Sequence, residues 1–495
     1  MKVEATIRQY NHTGKSTRIK WRNPSRRKQN SKPWLLLLLL LSSFLVFFFL
    51  NSTRFSFRFS LNNHRLNVTS SVTSNRASST QEELTPEYDK NPCLGRYIYI
   101  HHLPGRFNED VVKNCESLNR PTDKSSMCDN IKNYGFGPEI ENSNGVLSNK
   151  SWYSTNQFLL EVIFHAKMKK YKCLTNDSSL ASAIFIPFYA GLDLRRHLWR
   201  FTTSVRDSSG IDLAKWLVER PEWRRNWGKD HFMVAGRISR DFRRKTENNS
   251  DWGSKFMLLP ESQNMSIMSI ESSFTSNEIA IPYPTYFHPS ENREILQWQR
   301  RMRETKREFL FSFAGAPRSR RKGSVRDLVI SQCKSSNKTC RLLGCGGDSA
   351  SQSCDDPVNV MKLFTSSIFC LQPPGDSYTR RSIFDSILGG CIPVFFHPGS
   401  AYEQYFWHLP KNHSEYSVYM PGNQLRDRKF SIEQKLLEIT EDRVVALREA
   451  VIKLIPRVLY ANPGSKLGSF EDAFDIAITR ILKRISRAGE ESGRS

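Results

Sequence analysis

The chain has 495 residues, 38% of them hydrophobic, and a formal net charge of +24. This charge favours an anionic ligand, such as a diphosphate or an acidic polysaccharide, or an anionic surface. The spacing of the ten cysteines and eleven histidines matches no zinc motif, which excludes a metal ribbon.

The N-terminal region has the pattern of a membrane anchor. Residues 1–33 carry ten basic residues and one acid, and residues 34–50 follow as 17 uncharged residues. Such a run is at the short limit for spanning a bilayer. It ends in FFFLNSTRF, without a signal-peptidase site, so we predict an uncleaved anchor rather than a secreted protein with a long signal. Because the basic flank stays cytosolic, the topology is type II, with a lumenal C-terminus.

A polar stem is predicted over residues 51–90. Seventeen of residues 51–80 are Ser, Thr or Asn, and no apolar period recurs there, so we expect a disordered segment. The cytosolic tail supplies +9 of the net charge, which leaves +15 for the rest of the chain. Nucleic acid is a poor partner for a lumenal protein, so we expect none. The tail itself would meet anionic lipid head groups.

Short apolar runs bounded by Gly or Pro predict buried parallel strands in the remaining 400 or so residues. These runs cover residues 97–101, 183–187, 231–235, 256–260, 279–282, 309–314, 368–371, 391–396 and 416–420. Helices are predicted at 156–170, 211–219, 291–307, 325–333, 433–437 and 443–454. The alternation predicts an α/β fold with two halves, residues 91–300 and 301–425, bridged by the helix at 291–307. Helices over 426–495 are expected to pack back.

All ten cysteines lie on the predicted lumenal side, where disulfides form. The close pairs Cys333/Cys340 and Cys345/Cys354 are predicted to bond, whereas Cys370 and Cys391, in apolar strands, are predicted to be small core residues. Seven N-x-S/T sequons are predicted glycosylation sites: Asn67, Asn149, Asn176, Asn248, Asn264, Asn337 and Asn412.

The segment after the strand at 368–371 has the pattern of an anion site. A Pro/Gly turn that contains Gly375 leads to a predicted helix that begins at Ser377, Tyr378, Thr379, Arg380 and Arg381. Free N–H groups, hydroxyls and arginines at a helix N-terminus suit a phosphate. Asp385, one turn further, suits a sugar diol. The alternative is a buried strand–helix–strand unit with a solvated basic cap.

A second cationic loop follows the strand at 309–314. It begins near Gly315 and carries Arg318, Arg320, Arg321, Lys322 and Arg326. The carboxyl ends of parallel strands meet at one edge, so both basic loops are expected there, around a diphosphate. The chain has no GxxxxGK[ST] and no GxGxxG, so ATPase and dehydrogenase functions lose their usual support.

Five segments together resemble the plant exostosin-family glycosyltransferases of the xyloglucan galactosyltransferase clade. They are CLGRYIYIHHLPGRFNEDVVKNC (93–115), MCDNIKNYGFGPEI (127–140), ASAIFIPFYAGLDLRRHLW (181–199), FLFSFAGAPR (309–318) and GDSYTRRSIFDSILGGCIPVFFHPGSAYEQYFWHLP (375–410). The resemblance implies a Golgi type II enzyme with two Rossmann-like halves and a cleft between them, the GT-B type. It implies inverting transfer of galactose from UDP-galactose to the 2-hydroxyl of a xylosyl side chain of xyloglucan, in cell-wall biogenesis.

The candidate site residues follow from the two loops and the resemblance. Donor-binding candidates are Gly315, Arg320, Arg326, Gly375, Ser377, Tyr378, Arg380, Arg381 and Asp385. Asp385 falls where many exostosin-type proteins have a glutamate that touches the ribose. His102 stands where the family often has an acid and is the candidate general base; the alternative is a hydrogen-bonded loop.

No metal or other cofactor is expected. Arginines supply the charge that a leaving diphosphate needs, and Asp355–Asp356, before a proline, are interpreted as a turn. Acceptor-stacking candidates are Trp152, Tyr153, Phe188, Tyr189 and Trp199, each with core packing as its alternative. Two further hypotheses remain: a sister transferase that uses UDP-galacturonic acid or UDP-arabinose, and a non-catalytic Golgi scaffold. Other wall-polysaccharide glycosyltransferases are possible partners.

Overall fold

The computed structural model describes residues 91–492, apart from residues 122, 124, 142–144, 319–323, 347–353 and 466. These residues belong to one compact unit. The predicted tail, anchor and stem, with Asn67, lie outside the described residues. Within the described part of the chain, no helix has the length and apolar character needed to cross a membrane.

Five parallel strands form the first sheet, in the order β1-β2-β3-β4-β5. They are β1 (Ile98–Ile100), β2 (Ala183–Ile186), β3 (His231–Ala235), β4 (Ser266–Ser269) and β5 (Glu278–Ala280). Strands β2 to β5 are buried along their whole length, as expected for a parallel sheet with both faces covered.

The second sheet is also parallel and has the order β10-β9-β8-β6-β7. Its strands are β6 (Phe309–Gly315), β7 (Cys340–Gly344), β8 (Ser367–Gln372), β9 (Ile392–Phe395) and β10 (Val418–Tyr419). The strand order reverses between β6 and β8, and in open α/β sheets the ligand crevice lies at such a point, beyond the carboxyl ends of the strands.

Helices separate and cover the strands. They are α1 (Glu109–Lys113), α2 (Met127–Gly135), α3 (Leu160–Met168), α4 (Ala190–His197), α5 (Thr203–Val218), α6 (Pro221–Asn226), α7 (Pro260–Asn264), α8 (Asn292–Glu304), α9 (Val325–Ser335), α10 (Pro357–Thr365), α11 (Ser382–Leu388), α12 (Ile432–Leu437), α13 (Glu441–Val458) and α14 (Ala473–Ser492). Capping side chains mark where some of these helices begin. At the start of α9, for example, the Ser324 hydroxyl accepts from the Asp327 N–H.

Helix α8 joins the two parts of the fold. Trp298 packs its ring against Trp152, at 4.7 Å between centroids, and donates its indole N–H to the Leu388 carbonyl at 2.9 Å. The C-terminal helix α14 returns to the first sheet, where Phe474 meets Phe164 of α3 at 4.8 Å. Contacts of this kind hold the two sheets in one compact body.

Five disulfides involve all ten cysteines: Cys93–Cys173, Cys115–Cys128, Cys333–Cys340, Cys345–Cys354 and Cys370–Cys391. The predicted bonds at 333–340 and 345–354 are confirmed. Cys370 and Cys391 are buried core residues, as predicted, but they also bond to each other, which was not predicted. Cys370 lies in β8 and Cys391 directly precedes the neighbouring strand β9, so their Cα atoms are 5.8 Å apart.

The strand predicted at 256–260 was also wrong. Phe256–Leu258 forms a 3-10 turn and Pro260 begins α7, a position where the missing N–H of proline costs nothing. Phe256 is apolar because its ring covers Gly210 of α5, where an added Cβ would lie 2.8 Å from it. The fourth strand is Ser266–Ser269 instead, and β7 was not predicted.

Candidate functional site

The candidate donor site is formed by the loops that follow β6 and β8. The helix predicted to begin at Ser377 begins at Ser382, and residues 375–381 form a loop. A short turn closes it, with the Gly375 N–H donating to the Ser377 carbonyl at 2.7 Å. The Thr379 N–H donates across to Glu271 Oε2 at 2.8 Å, so it is not available to an anion. The anion-binding groups therefore come from loop side chains.

Arg318, Arg326 and Arg380 form a cationic cluster at these loops. Arg380 donates to the Ala314 carbonyl at 2.7 Å and lies over the Phe313 ring at 5.3 Å. Burial, and then the charges of Arg326 and Arg318, lower the pKa of Arg380 to about 9. Arg318 pairs with the exposed Asp376. The charge of Asp327 also acts on Arg326, so three guanidinium groups face two carboxylates, and a phosphate would offset the remaining positive charge.

Two glycines keep this cluster compact. A Cβ on Gly375 would lie 3.1 Å from Arg326 Nη2 and 3.4 Å from Arg380 Cγ, so a side chain there would push the two arginines. A Cβ on Gly315 would lie 2.5 Å from the Phe313 ring that supports Arg380. Both predicted glycines are therefore positions of close approach.

Arg381 makes a different set of contacts, which reach the first half of the chain. It pairs with Asp385 of α11 at 3.3 Å, donates to the Thr155 carbonyl at 2.5 Å, and stacks on Tyr286 at 3.6 Å. Burial raises the pKa of Asp385 to about 6, against the lowering effect of Arg381. Arg381 thus stabilises the arrangement of the two halves. It also lies next to Asp385, the residue predicted to bind the ribose.

Several buried polar atoms of these residues lack a hydrogen-bond partner among the described residues. Apart from Arg381 Nε, which lies 3.3 Å from Asp385 Oδ2, they are Arg326 Nε, Arg380 Nη1, Arg381 Nη2 and Asp385 Oδ1. Unpaired buried donors and acceptors cost about 1–3 kcal/mol each, and a bound ligand is one way to pair them. Three donors and one carboxylate acceptor match the needs of a diphosphate and a sugar diol.

Two other donor candidates lie on the same loop. The Ser377 side chain is half-buried. Tyr378 is exposed and stacks on His397, with 4.2 Å between the ring centroids and 13° between the planes. Arg320 lies outside the described residues.

The first sheet meets this loop through Glu271, which the sequence analysis missed. Glu271 follows β4 and is buried, and its Oε2 also accepts from the Thr379 hydroxyl at 2.6 Å. The Tyr283 hydroxyl approaches the same Thr379 hydroxyl at 3.2 Å. The corresponding strand was predicted at 256–260. The sequence analysis therefore did not place Glu271 after the end of a strand and did not propose it as a site residue.

His102 has an exposed ring at the end of β1, 6.2 Å from the Tyr99 ring. Its neighbour His101 is buried and forms a chain with His231 and Asp230: His101 Nε2 is 3.1 Å from His231 Nε2, and His231 Nδ1 is 2.7 Å from Asp230 Oδ1. Burial, and then His231, lower the pKa of His101 to about 3. The tandem histidines therefore have different environments, and only His102 is open to a substrate.

The aromatic candidates for acceptor binding divide by burial. Trp152, Phe188 and Tyr189 are core residues, and the Tyr189 hydroxyl is 2.8 Å from His165 Nδ1. Tyr153 is half-buried, and Trp199 is exposed.

The six described sequon asparagines all have exposed side chains: Asn149, Asn176, Asn248, Asn264, Asn337 and Asn412. Asn248 and Asn412 accept from the N–H of Ser250 and Ser414, the third residue of each sequon, at 3.0 and 3.3 Å. The positions are accessible to a glycosyl group.

Two groups of residues could bind a metal ion by their composition, but both take part in structural contacts. The cluster Cys115, Glu116 and Cys128 would suit a metal by composition, but the two sulfurs are bonded to each other. Asp356 caps α10, where it accepts from the Val358 N–H at 2.8 Å, so it is a helix cap and not the predicted turn residue. Both observations favour structural roles.

The fold and these loops define a GT-B-like glycosyltransferase, with two parallel α/β sheets whose carboxyl-terminal loops meet. The profile of the "Exostosin GT47 domain" matches residues 92–436. The chain therefore belongs to the exostosin GT47 family, as its resemblance had indicated.

Curated relatives come from Arabidopsis thaliana. The "Probable xyloglucan galactosyltransferase GT15" is 58% identical over 80% of this chain and 84% of its own. The "Xyloglucan galactosyltransferase MUR3" is 52% identical over 81% of this chain and 64% of its own. The "Xyloglucan-specific galacturonosyltransferase 1" is 40% identical over 80% of this chain and 58% of its own.

A solved structure of the pneumococcal O-GlcNAc transferase GtfA with UDP and GlcNAc matches 57% of this chain and 60% of its own. The sequence identity is 12% and the TM-score is 0.26, a superposition too loose to support an argument.

Proposed function

We propose that the protein is an inverting galactosyltransferase, which transfers galactose from UDP-galactose to the xylosyl side chains of xyloglucan. The observation that carries the proposal is the cluster of unpaired buried donors on Arg326, Arg380 and Arg381 beside the unpaired Asp385 Oδ1. Relatives 52–58% identical are named xyloglucan galactosyltransferases, which supports the choice of sugar and acceptor.

The chemistry follows from charge and position. The acceptor hydroxyl attacks the anomeric carbon of the donor, its proton passes to a base, and the bond to the diphosphate oxygen breaks with inversion. Arg380 and Arg326 would stabilise the charge that develops on the leaving diphosphate. Asp385 would accept from the ribose hydroxyls. His102 is the proposed base, because its ring is exposed and an imidazole nitrogen can accept a proton from the acceptor hydroxyl.

The arginines also support a transfer that needs no metal ion. The decisive experiment is a donor screen with the purified lumenal domain and xyloglucan oligosaccharides, with and without EDTA. We expect galactose transfer from UDP-galactose that survives the chelator. Complete loss of activity in EDTA that manganese restores would disprove the metal-free mechanism, and no transfer from UDP-galactose would disprove the proposed donor.

A sister activity is the second candidate, since a relative at 40% identity is named a galacturonosyltransferase. The same screen separates the two, because an enzyme for UDP-galacturonic acid would prefer that donor over UDP-galactose. UDP-arabinose belongs in the same screen. A protein that binds UDP but transfers no sugar would support the scaffold hypothesis instead.

We further propose that the enzyme is a single-pass type II protein of the Golgi membrane, with residues 34–50 as the anchor. The exposed sequons suit a lumenal domain that carries glycans. In sealed Golgi vesicles, we expect protease to leave the C-terminal domain intact until detergent is added. Digestion without detergent would contradict this topology.

A further inference from the structure

Two exposed tryptophans form a corner on the first half of the chain. Trp199 follows α4, and Trp252 lies on the loop between β3 and α7. Each is 41% exposed, and their ring centroids are 5.7 Å apart with the planes at 75°. Adjacent exposed indoles are uncommon on a soluble surface and indicate a binding function.

A buried ion pair fixes the orientation of Trp252. Its indole N–H donates to Asp241 Oδ1 at 2.7 Å, and Asp241 Oδ2 accepts from Arg237 Nε, also at 2.7 Å. Asp241 and Arg237 are both buried. The next residue, Gly253, has φ +88, and a Cβ there would lie 2.4 Å from the Asp241 carbonyl oxygen. The loop is therefore held firmly, and the indole is presented in a defined position.

Trp199 is held in a similar way. The Arg120 guanidinium lies over its ring at 4.0 Å, and Arg120 pairs with Asp123 at 3.1 Å. Asp123 also pairs with the buried Arg195. Three guanidinium groups (Arg120, Arg195 and Arg237) and two carboxylates (Asp123 and Asp241) surround the corner, so its support is mostly charge-paired. The exposed parts of the two indole rings remain apolar and suit the C–H face of a sugar ring.

The corner borders the candidate donor site. Arg240, directly before Asp241 in the chain, approaches the Asp376 carbonyl with its Nη1 at 3.4 Å. Asp376 lies on the loop after β8 and pairs with Arg318 of the cationic cluster. The chain segment that orients Trp252 therefore contacts the loop of the candidate donor site.

We infer that Trp199 and Trp252 are the platform on which the backbone of the neutral glucan acceptor stacks while one of its side chains enters the donor site. This inference rests on the proposed function and names the acceptor subsite for it. Trp199 was one of five aromatic candidates in the sequence, and the structure adds Trp252 and its buried support.

The test compares Trp252→Ala, Trp199→Ala and the double variant with wild type. As a matched control, Trp227→Ala removes an indole that is 66% exposed but precedes β3, at the opposite end of the strand from Arg237. Losing a stacking face should raise the KM for xyloglucan oligosaccharide about tenfold or more, with UDP affinity unchanged. The control should match wild type in both measurements. A double variant with wild-type KM would overturn the inference.

Two further measurements keep the outcomes distinct. Calorimetry with xyloglucan oligosaccharide and UDP, without sugar transfer, tests the platform even if galactose is not the donor. Binding by wild type and its loss in the double variant support the platform.

The sequon Asn248 lies four residues before Trp252, so the protein's own glycan is the rival occupant. If Asn248→Gln lowers the unfolding temperature while the tryptophan variants keep wild-type KM, the glycan covers the corner and the inference is wrong.

Discussion

Among single residues of the candidate donor site, Arg380 combines burial with repulsion by neighbouring arginines and an unpaired donor. Its charge is opposed by Arg326 and Arg318, and it retains an unpaired Nη1. Without a ligand, the repulsion between like charges and the unpaired donor oppose the bond of Arg380 to the Ala314 carbonyl. Bound phosphate would reverse both unfavourable effects, so we expect Arg380 to contribute to binding more than to folding.

Arg380→Ala should therefore separate binding from stability. We expect it to lose a charge-assisted contact of roughly 1.5–3 kcal/mol, which is about ten- to over a hundredfold in UDP affinity by calorimetry. The free energy of unfolding should change little, because relieved repulsion offsets the lost bond to Ala314. Arg303→Ala, which removes a surface pair with Glu449, is the control and should bind UDP normally. Unchanged UDP affinity in Arg380→Ala would contradict the assignment.

Arg381→Ala should differ, because Arg381 also stabilises the fold. Its loss leaves the buried Asp385 without its partner, which costs about 3 kcal/mol or more in unfolding free energy. Because burial raises the pKa of Asp385 to about 6, folded Asp385 retains a proton that the unfolded chain releases below that pH. The loss of unfolding free energy in the variant should thus be smallest at acidic pH and larger above pH 6, where Asp385 carries its charge. Adding Asp385→Asn should restore part of the loss, and a double variant no more stable than Arg381→Ala would count against the pairing.

His102→Ala tests the proposed base. The ring is exposed, so we expect the variant to fold, to bind UDP with wild-type affinity and to lose turnover by about 10²–10⁴-fold. His101→Ala is the contrast: it breaks the buried chain to His231 and Asp230 and should lower stability instead. Normal turnover in folded His102→Ala would discard this base.

At the scale of elements, the sequence predicted best where apolar runs are buried on both faces. The predictions at β3, β6 and β8 agree closely with the structure, because burial of most of their residues leaves a largely apolar run. The prediction failed at Phe256, which is apolar in order to cover α5, and at β4, where serines flank two apolar residues. From the local sequence alone, an apolar residue that packs on a helix cannot be distinguished from one in a buried strand.

The bond between Cys370 and Cys391 ties β8 to the residue that precedes β9. We expect Cys370→Ala/Cys391→Ala to lower the free energy of unfolding by about 3 kcal/mol, as for other bonds that close loops of this length. Denaturant titration measures this, and peptide mapping without reductant should recover the linked peptides from wild type. Cys115→Ala/Cys128→Ala, in the first half, should leave UDP affinity unchanged. Recovery of free thiols at 370 and 391 from wild type would disprove the bond.

At the scale of the whole molecule, contacts between distant segments assemble the site, and the sequence did not predict them. Gln404 donates to the Ser272 carbonyl at 3.2 Å, and the Tyr405 hydroxyl donates to the Ile270 carbonyl at 2.7 Å. Each joins residues more than 130 positions apart. The individual loops were predictable from composition. The register of β4, however, decides that Glu271 is the acid of the first half that faces Thr379, and this register was not predicted.

Glu271 is the polar link between the halves whose removal should be most informative. Its Oε2 accepts from both the N–H and the hydroxyl of Thr379, so Glu271→Gln would place an amide N–H₂ or a single oxygen where two donors converge. We expect the loop at 375–381 to exchange its amide hydrogens faster, and UDP affinity to fall because Arg380 is no longer held in place. Glu433→Gln is the control, since Glu433 also binds two hydroxyl groups, of Ser336 and Thr339, but within the second half. Unchanged exchange in the 375–381 loop of Glu271→Gln would show that the other contacts between the halves position the donor loop without it.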